Sequence, residues 1–174
     1  MLLTDLDAFR STPLPAGYPD NLRTLYAPVD RVHDALLAVI GSATTSLIIN
    51  MYAYSDATLD AVVRVKLADP TVSVQMTLDA SQTTGYEEKT ILAEWNKAGL
   101  SNDLAIGDSE DNAIMHLKMA VVDGLFVVTG STNWSVSGQT EQDNQLTVIA
   151  DSVVAAEATA RLDAVHAWIV AHPG

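Results

Sequence analysis

Between Ser46 and Leu78 the chain changes its hydrophobic period twice, and few architectures accept that pattern. Residues 46–52 (SLIINMY) form an aliphatic run of strand length, which reads as a buried strand. Asp56 then stands as the N-cap of a helix carrying Leu59, Val62, Val63 and Leu67. Val72, Val74, Met76 and Leu78 alternate strictly, the mark of a half-buried strand. Strands interleaved with helices predict an α/β layered sheet.

The rest of the chain fits the same scheme. Residues 1–21, with Pro13, Pro15, Gly17 and Pro19, read as an irregular arm, and 22–174 as a single domain. Residues 22–26 are a strand candidate. Pro28-Val29-Asp30 opens a helix with Val32, Leu36, Val39 and Ile40 on one face, closed by Gly41. A helix with Ile91, Leu92 and Trp95 ends at Gly99, and a short strand lies near Leu104. Strands are expected over 114–122, 125–129 and 145–149, and a last helix carries Ala158, Leu162, Val165 and Ile169 on one stripe.

Composition narrows the function. Nine Lys plus Arg against 22 Asp plus Glu give a net charge of −13, a field that repels polyanions and anionic membranes. The cations are scattered from Arg10 to Arg161, with no basic run. The absence of cysteine excludes disulfides, thiolate metal sites and a cysteine nucleophile. No apolar run approaches the ~20 residues of a membrane span. The first residues carry no basic region followed by an apolar one, so a cytoplasmic protein is expected.

The chemistry concentrates in residues 114–149. His116, Lys118, Asp123, Gly130, Ser131 and Asn133 form an H-x-K-x4-D-x6-G-S-x-N pattern, with a chance match on the order of 10⁻⁸ per start position. On a strand, positions i and i+2 share a face, so His116 and Lys118 point together. Asp123-Gly124 suits a two-residue hairpin turn. Pairing outward from it sets Val122 against Leu125, Lys118 against Thr129 and His116 against Ser131. A nucleophile, a cation, a hydroxyl and an amide then converge on a volume the size of one phosphate. The Asp-Gly turn accounts for Asp123 without chemistry, Gly130 suits a close backbone approach, and Trp134 reads as core.

This pattern resembles the signature of the phospholipase D superfamily, and Leu25-Tyr26-Ala27-Pro28 and SLIINMYAYS resemble its preceding segments. The resemblance covers about residues 22–168. It implies an α/β/α sandwich with a mixed central sheet flanked by helices, and catalysis through a covalent phosphohistidine without metal or cofactor. Members bring two copies of the motif together. Here His33, His166 and His172 are followed two residues on by Ala35, Trp168 and Gly174, so only one copy exists. A homodimer with an isologous active site is therefore implied. His116 would be the nucleophile, and Lys118, Ser131 and Asn133 would hold phosphate oxygens. Asp123 is carried as a catalytic candidate through the motif. Members also orient the histidine with an acidic residue downstream; the ungapped position here is Asn144, so Asp143 is favoured and Glu141 is the further candidate.

The leading expectation is an endonuclease acting on DNA or RNA. Lipid phosphodiesterase activity is a second reading, although lipid-cleaving members usually carry both motifs in one chain. A catalytically silent dimeric binding module is a third.

Overall fold

The computed structural model describes residues 1–101 and 103–172. Along them run β1 (Leu22–Ala27), α1 (Val32–Gly41), β2 (Ser46–Met51), α2 (Ala57–Leu67), β3 (Ser73–Asp79) and α3 (Tyr86–Ala98). Then follow β4 (Leu104–Gly107), β5 (Lys118–Val122), β6 (Phe126–Gly130), α4 (Val136–Thr140), β7 (Asn144–Ala150) and α5 (Ser152–Ala171). The strands form one sheet in the order β1-β7-β6-β5-β2-β3-β4. The pairs β2–β3 and β3–β4 are parallel and the others antiparallel. This is the expected mixed sheet.

Strand alternation sorts side chains into two layers. Leu47, Ile49 and Met51 join a core shared with Leu36, Val39 and Ile40 of α1, Leu59 and Val63 of α2, and Ile91 and Trp95 of α3. Ile48, Met119, Val121 and Val127 face the other way, against Ala155 and Leu162 of α5. The result is an α/β/α sandwich. Asp56 caps α2, accepting from the backbone N–H of Thr58 at 2.8 Å and Leu59 at 3.1 Å. Gly99 ends α3 in the left-handed region, with φ 69°.

Three local expectations need correction. Residues 1–21 are not irregular throughout: Leu3–Phe9 form a 3₁₀ helix that buries Leu3 and Leu6. It is tied down by a 2.6 Å ion pair between Asp7 and Arg23. The hairpin turn forms as expected, with positive φ at Asp123 and Gly124 and the Leu125 N–H donating to the Val122 carbonyl at 3.0 Å. Leu125, however, leaves the ladder and its carbonyl accepts from the Asp151 N–H at 3.1 Å. Val122 therefore pairs with Phe126 and Met119 with Thr129, one residue out of the expected register. Finally, β5 begins at Lys118, so His116 precedes the strand rather than lying in it.

Candidate active site

Alternating strand directions bring distant segments to one end of the sheet. There Met51 pairs with Lys118, Ala27 with Asn144, and Gly130 with Leu146. His116, Lys118, Ser131 and Asn133 all emerge at this end, as the motif's spacing predicts.

His116 is exposed and lies in an extended segment without a strand partner. Three hydrogen bonds replace the missing ladder. The Met115 N–H donates to Asp79 Oδ2 at 2.6 Å, Lys118 Nζ donates to the His116 carbonyl at 3.0 Å, and the Tyr52 N–H donates to the Leu117 carbonyl at 2.8 Å. Met115 anchors the segment by packing with Val165 and Ile169 of α5. Lys118 is 9% exposed and its Nζ sits 4.5 Å from the centroid of the Tyr52 ring. Burial pushes its ammonium pKa down, and the nearby Asp79 carboxylate works against that shift. The same Tyr52 meets the His116 ring edge-on, with centroids 4.5 Å apart and planes at 64°.

The Gly-Ser-x-Asn stretch closes the other side. Gly130 has φ 153°, and a Cβ there would lie 2.0 Å from the Gln145 carbonyl oxygen, so a side chain has no room. The Ser131 N–H and the Thr132 hydroxyl both donate to that oxygen at 3.0 Å. Ser131 Oγ in turn donates to Asn144 Oδ1 at 2.8 Å and accepts from the Gln145 N–H at 3.0 Å. Asn133 buries its Oδ1 with no hydrogen-bond partner among the described residues. Trp134 is core, as expected, at 1% exposure.

Asp123 is not brought to this end. It lies beyond the far end of β5, where its carboxylate accepts from the backbone N–H groups of Thr44, Thr45 and Ser46 and from both threonine hydroxyls. Burial alone would raise its pKa. The Ser46, Thr45 and Thr44 backbone bonds and the Thr44 hydroxyl outweigh that and hold it far below the ordinary carboxylate value. Its place among the catalytic candidates is corrected accordingly: Asp123 ties the hairpin to the start of β2. Asp123→Ala is expected to cost about 1–3 kcal/mol while leaving turnover per folded molecule intact. Because its pKa is depressed on folding, the stabilisation is full above the unfolded value and fades as pH falls through the folded one. Chemical denaturation from neutral pH down to acid, comparing wild type and variant, checks this; the two should converge at low pH.

Asp143 and Glu141 are exposed, and no ion pair joins either to His116. Among the described residues the His116 ring has no carboxylate within ion-pair distance. Asp143 instead lines an open cavity of about 300 Å³ with Tyr26, Val29, Ser131 and Asn144. Among the described residues neither Asp143 nor Glu141 pairs with the ring it was expected to orient. Three contributors went unread in the sequence: Tyr52, Asp79 and Glu88. Asp79 is fully buried at the end of β3. Glu88 accepts the Tyr54 N–H at 3.0 Å and leaves its other oxygen buried without a partner. Burial, opposed by that hydrogen bond and reinforced by the Asp79 charge, pushes Glu88 up to about 7. Among the described residues no group of three His, Asp or Glu is arranged to hold a metal ion. No helix among them is long and apolar enough to cross a membrane.

A mixed sheet between two helix layers, carrying a His-x-Lys and a Gly-Ser-x-Asn at one end, is the architecture of the phospholipase D-like fold. The chain belongs to the phospholipase D-like family, since the family model described as "Cardiolipin synthase, PLD-like domain" matches residues 36–166. It is 28% identical over 115 residues to a mitochondrial cardiolipin hydrolase of Chlamydomonas reinhardtii, covering 66% of this chain. The chain spans about half the length of that relative, 48% of which is matched. Among solved structures it resembles Nuc, a phospholipase D family member from Salmonella typhimurium, with a TM-score of 0.69 and 22% identity over 83% of this chain and 92% of that one. NucT from Helicobacter pylori gives a TM-score of 0.69 and 20% identity over 83% and 94%. At these identities the structural likeness speaks for the fold.

Proposed function

We propose that two copies of this chain pair to form one active site that hydrolyses phosphodiester bonds in nucleic acid through a phosphohistidine. The observation that carries this reading is the exposed His116 imidazole beside a buried Lys118, at the sheet end that also carries Asn133, whose buried Oδ1 has no hydrogen-bond partner among the described residues. Nitrogen of His116 attacks phosphorus while the bond to the leaving oxygen breaks, and the partner subunit's His116 gives that oxygen its proton. Water then attacks phosphorus, the phosphorus–nitrogen bond breaks, and the partner's His116 takes the water proton. Lys118 and Asn133 from both copies hold the non-bridging oxygens, where charge must be stabilised in transit. A single chain carries one such histidine, which serves one role at a time, so pairing completes the set.

The likeness to a protein named cardiolipin hydrolase favours lipid as a second substrate class. The net charge of −13 weighs against long polyanions and anionic bilayers alike, and keeps short phosphodiesters in play. One assay decides. Wild type and His116→Ala are incubated in EDTA with single- and double-stranded DNA, RNA, a bis-aryl phosphodiester and cardiolipin. We expect nucleic-acid and aryl-ester cleavage that survives EDTA and disappears in the variant. Cleavage of cardiolipin alone would transfer the reading to lipid, and inertness toward every substrate would leave a dimeric binding module.

A further inference from the structure

We propose that Tyr52 is the positioning residue for both reacting groups of the motif, holding the His116 imidazole and the Lys118 ammonium with one ring. The need for such a group is set by the chain itself. The ungapped position of the orienting residue is Asn144, not a carboxylate, and its side chain is committed to Ser131 Oγ, the Gly138 carbonyl and Gln142. No carboxylate stands within ion-pair reach of the His116 ring among the described residues. An exposed imidazole in an extended segment would otherwise turn freely about its side-chain bonds.

Tyr52 is itself fixed at both ends. Its N–H donates to the Leu117 carbonyl at 2.8 Å, between His116 and Lys118, and its hydroxyl accepts from Gln82 Nε2 at 2.8 Å. A ring tethered this way presents a set surface. His116 meets it at 4.5 Å between centroids, in the tilted geometry that aromatic quadrupoles favour, and Lys118 Nζ sits 4.5 Å from its centroid. The cation–π contact also offsets part of the cost of burying the Lys118 charge, which among the described residues has no carboxylate partner at bonding distance. The β2–β3 side of the sheet thus does the work expected from the β6–β7 side, with Asp79 pinning the backbone at Met115.

The kinetic part of this inference rests on the phosphodiesterase reading, so the test pairs kinetics with a readout that needs no turnover. In proton NMR at alkaline pH, where imidazoles are neutral, the His116 ring signals are assigned by their loss in His116→Ala. They should be displaced by the Tyr52 ring current in wild type and in Tyr52→Phe, and return toward free-histidine positions in Tyr52→Leu. Tyr52→Met, which keeps bulk without a ring, replaces the leucine variant if that one fails to fold. With the aryl ester, kcat should fall about 10–100-fold in the ringless variant, the cost of a misdirected nucleophile, and recover most of that loss with phenylalanine. Unmoved His116 signals in the ringless variant, or signals that move in Asp143→Asn instead, would overturn the proposal. A wild type that cleaves nothing sinks the proposed function, while the ring-current shifts still decide the role of Tyr52.

Discussion

Replacing His116 with alanine should lower kcat by at least ~10⁴-fold, the loss typical of removing a covalent nucleophile. The more revealing result comes from mixing. If each active site sits on a twofold axis and contains His116 from both copies, a mixed dimer has lost either its nucleophile or its acid. Equal amounts of wild type and His116→Ala, allowed to exchange subunits, should then retain about a quarter of the activity of the same total of wild type, the share of all-wild-type dimers. Sites that each use one subunit's histidine would retain about half. The measurement therefore separates a shared site from a self-contained one without any structure of the complex.

The second large effect is expected at Gly130. Alanine there would place Cβ 2.0 Å from the Gln145 carbonyl oxygen, at a φ of 153° that L-residues rarely adopt. The oxygen cannot retreat cheaply, because it also accepts from the Ser131 N–H and the Thr132 hydroxyl. Relief requires β6 and β7 to separate at the end that carries Ser131 and Asn133. Gly130→Ala should cost about 3 kcal/mol or more and lower Tm by roughly 10 °C. Activity should fall even below the melting transition, since the same separation displaces Asn133. Calorimetry with parallel kinetics checks both, and a variant melting within about a degree of wild type would refute the close approach.

How far the fold was legible depends on the range of the interaction that fixes each part. The aliphatic run of β2, the alternation of β3 and the Asp56 cap are local signals, and each appears where its residues place it. The Asp-Gly turn was also readable, because positive φ at two positions is a property of those two residues. The register was not. It depends on whether Leu125 joins β6 or is drawn away by the backbone of Asp151, twenty-six residues later in the chain. Leu3 and Leu6 needed a pocket supplied by later segments before their 3₁₀ helix had a reason to form.

The candidate site divides the same way. His116, Lys118, Ser131 and Asn133 stand in one short pattern, and their gathering at one sheet end follows from two adjacent antiparallel strands. Tyr52, Asp79 and Gln82 reach the same place from other strands and loops; Tyr52 stands in a run read as a strand, yet no spacing ties any of the three to the motif. Asp79 reads as the polar end of an apolar strand, and its bond to the Met115 N–H exists only once β3 and the segment before β5 converge. Asp123 shows the converse. It belongs to the pattern by spacing, yet its carboxylate is spent on the start of β2, at the far end of the sheet.

The pairing of β1 with β7 has a consequence for how such a chain comes off the ribosome. Leu22–Ala27 hydrogen-bond with residues 144–149, so β1 is matched to a strand made more than a hundred residues later. Leu25, fully buried in the finished protein, is synthesised long before Leu146, its ladder partner. That edge of the sheet therefore closes late, and until then the nascent chain displays an unpaired strand to whatever holding factors greet it in the cell.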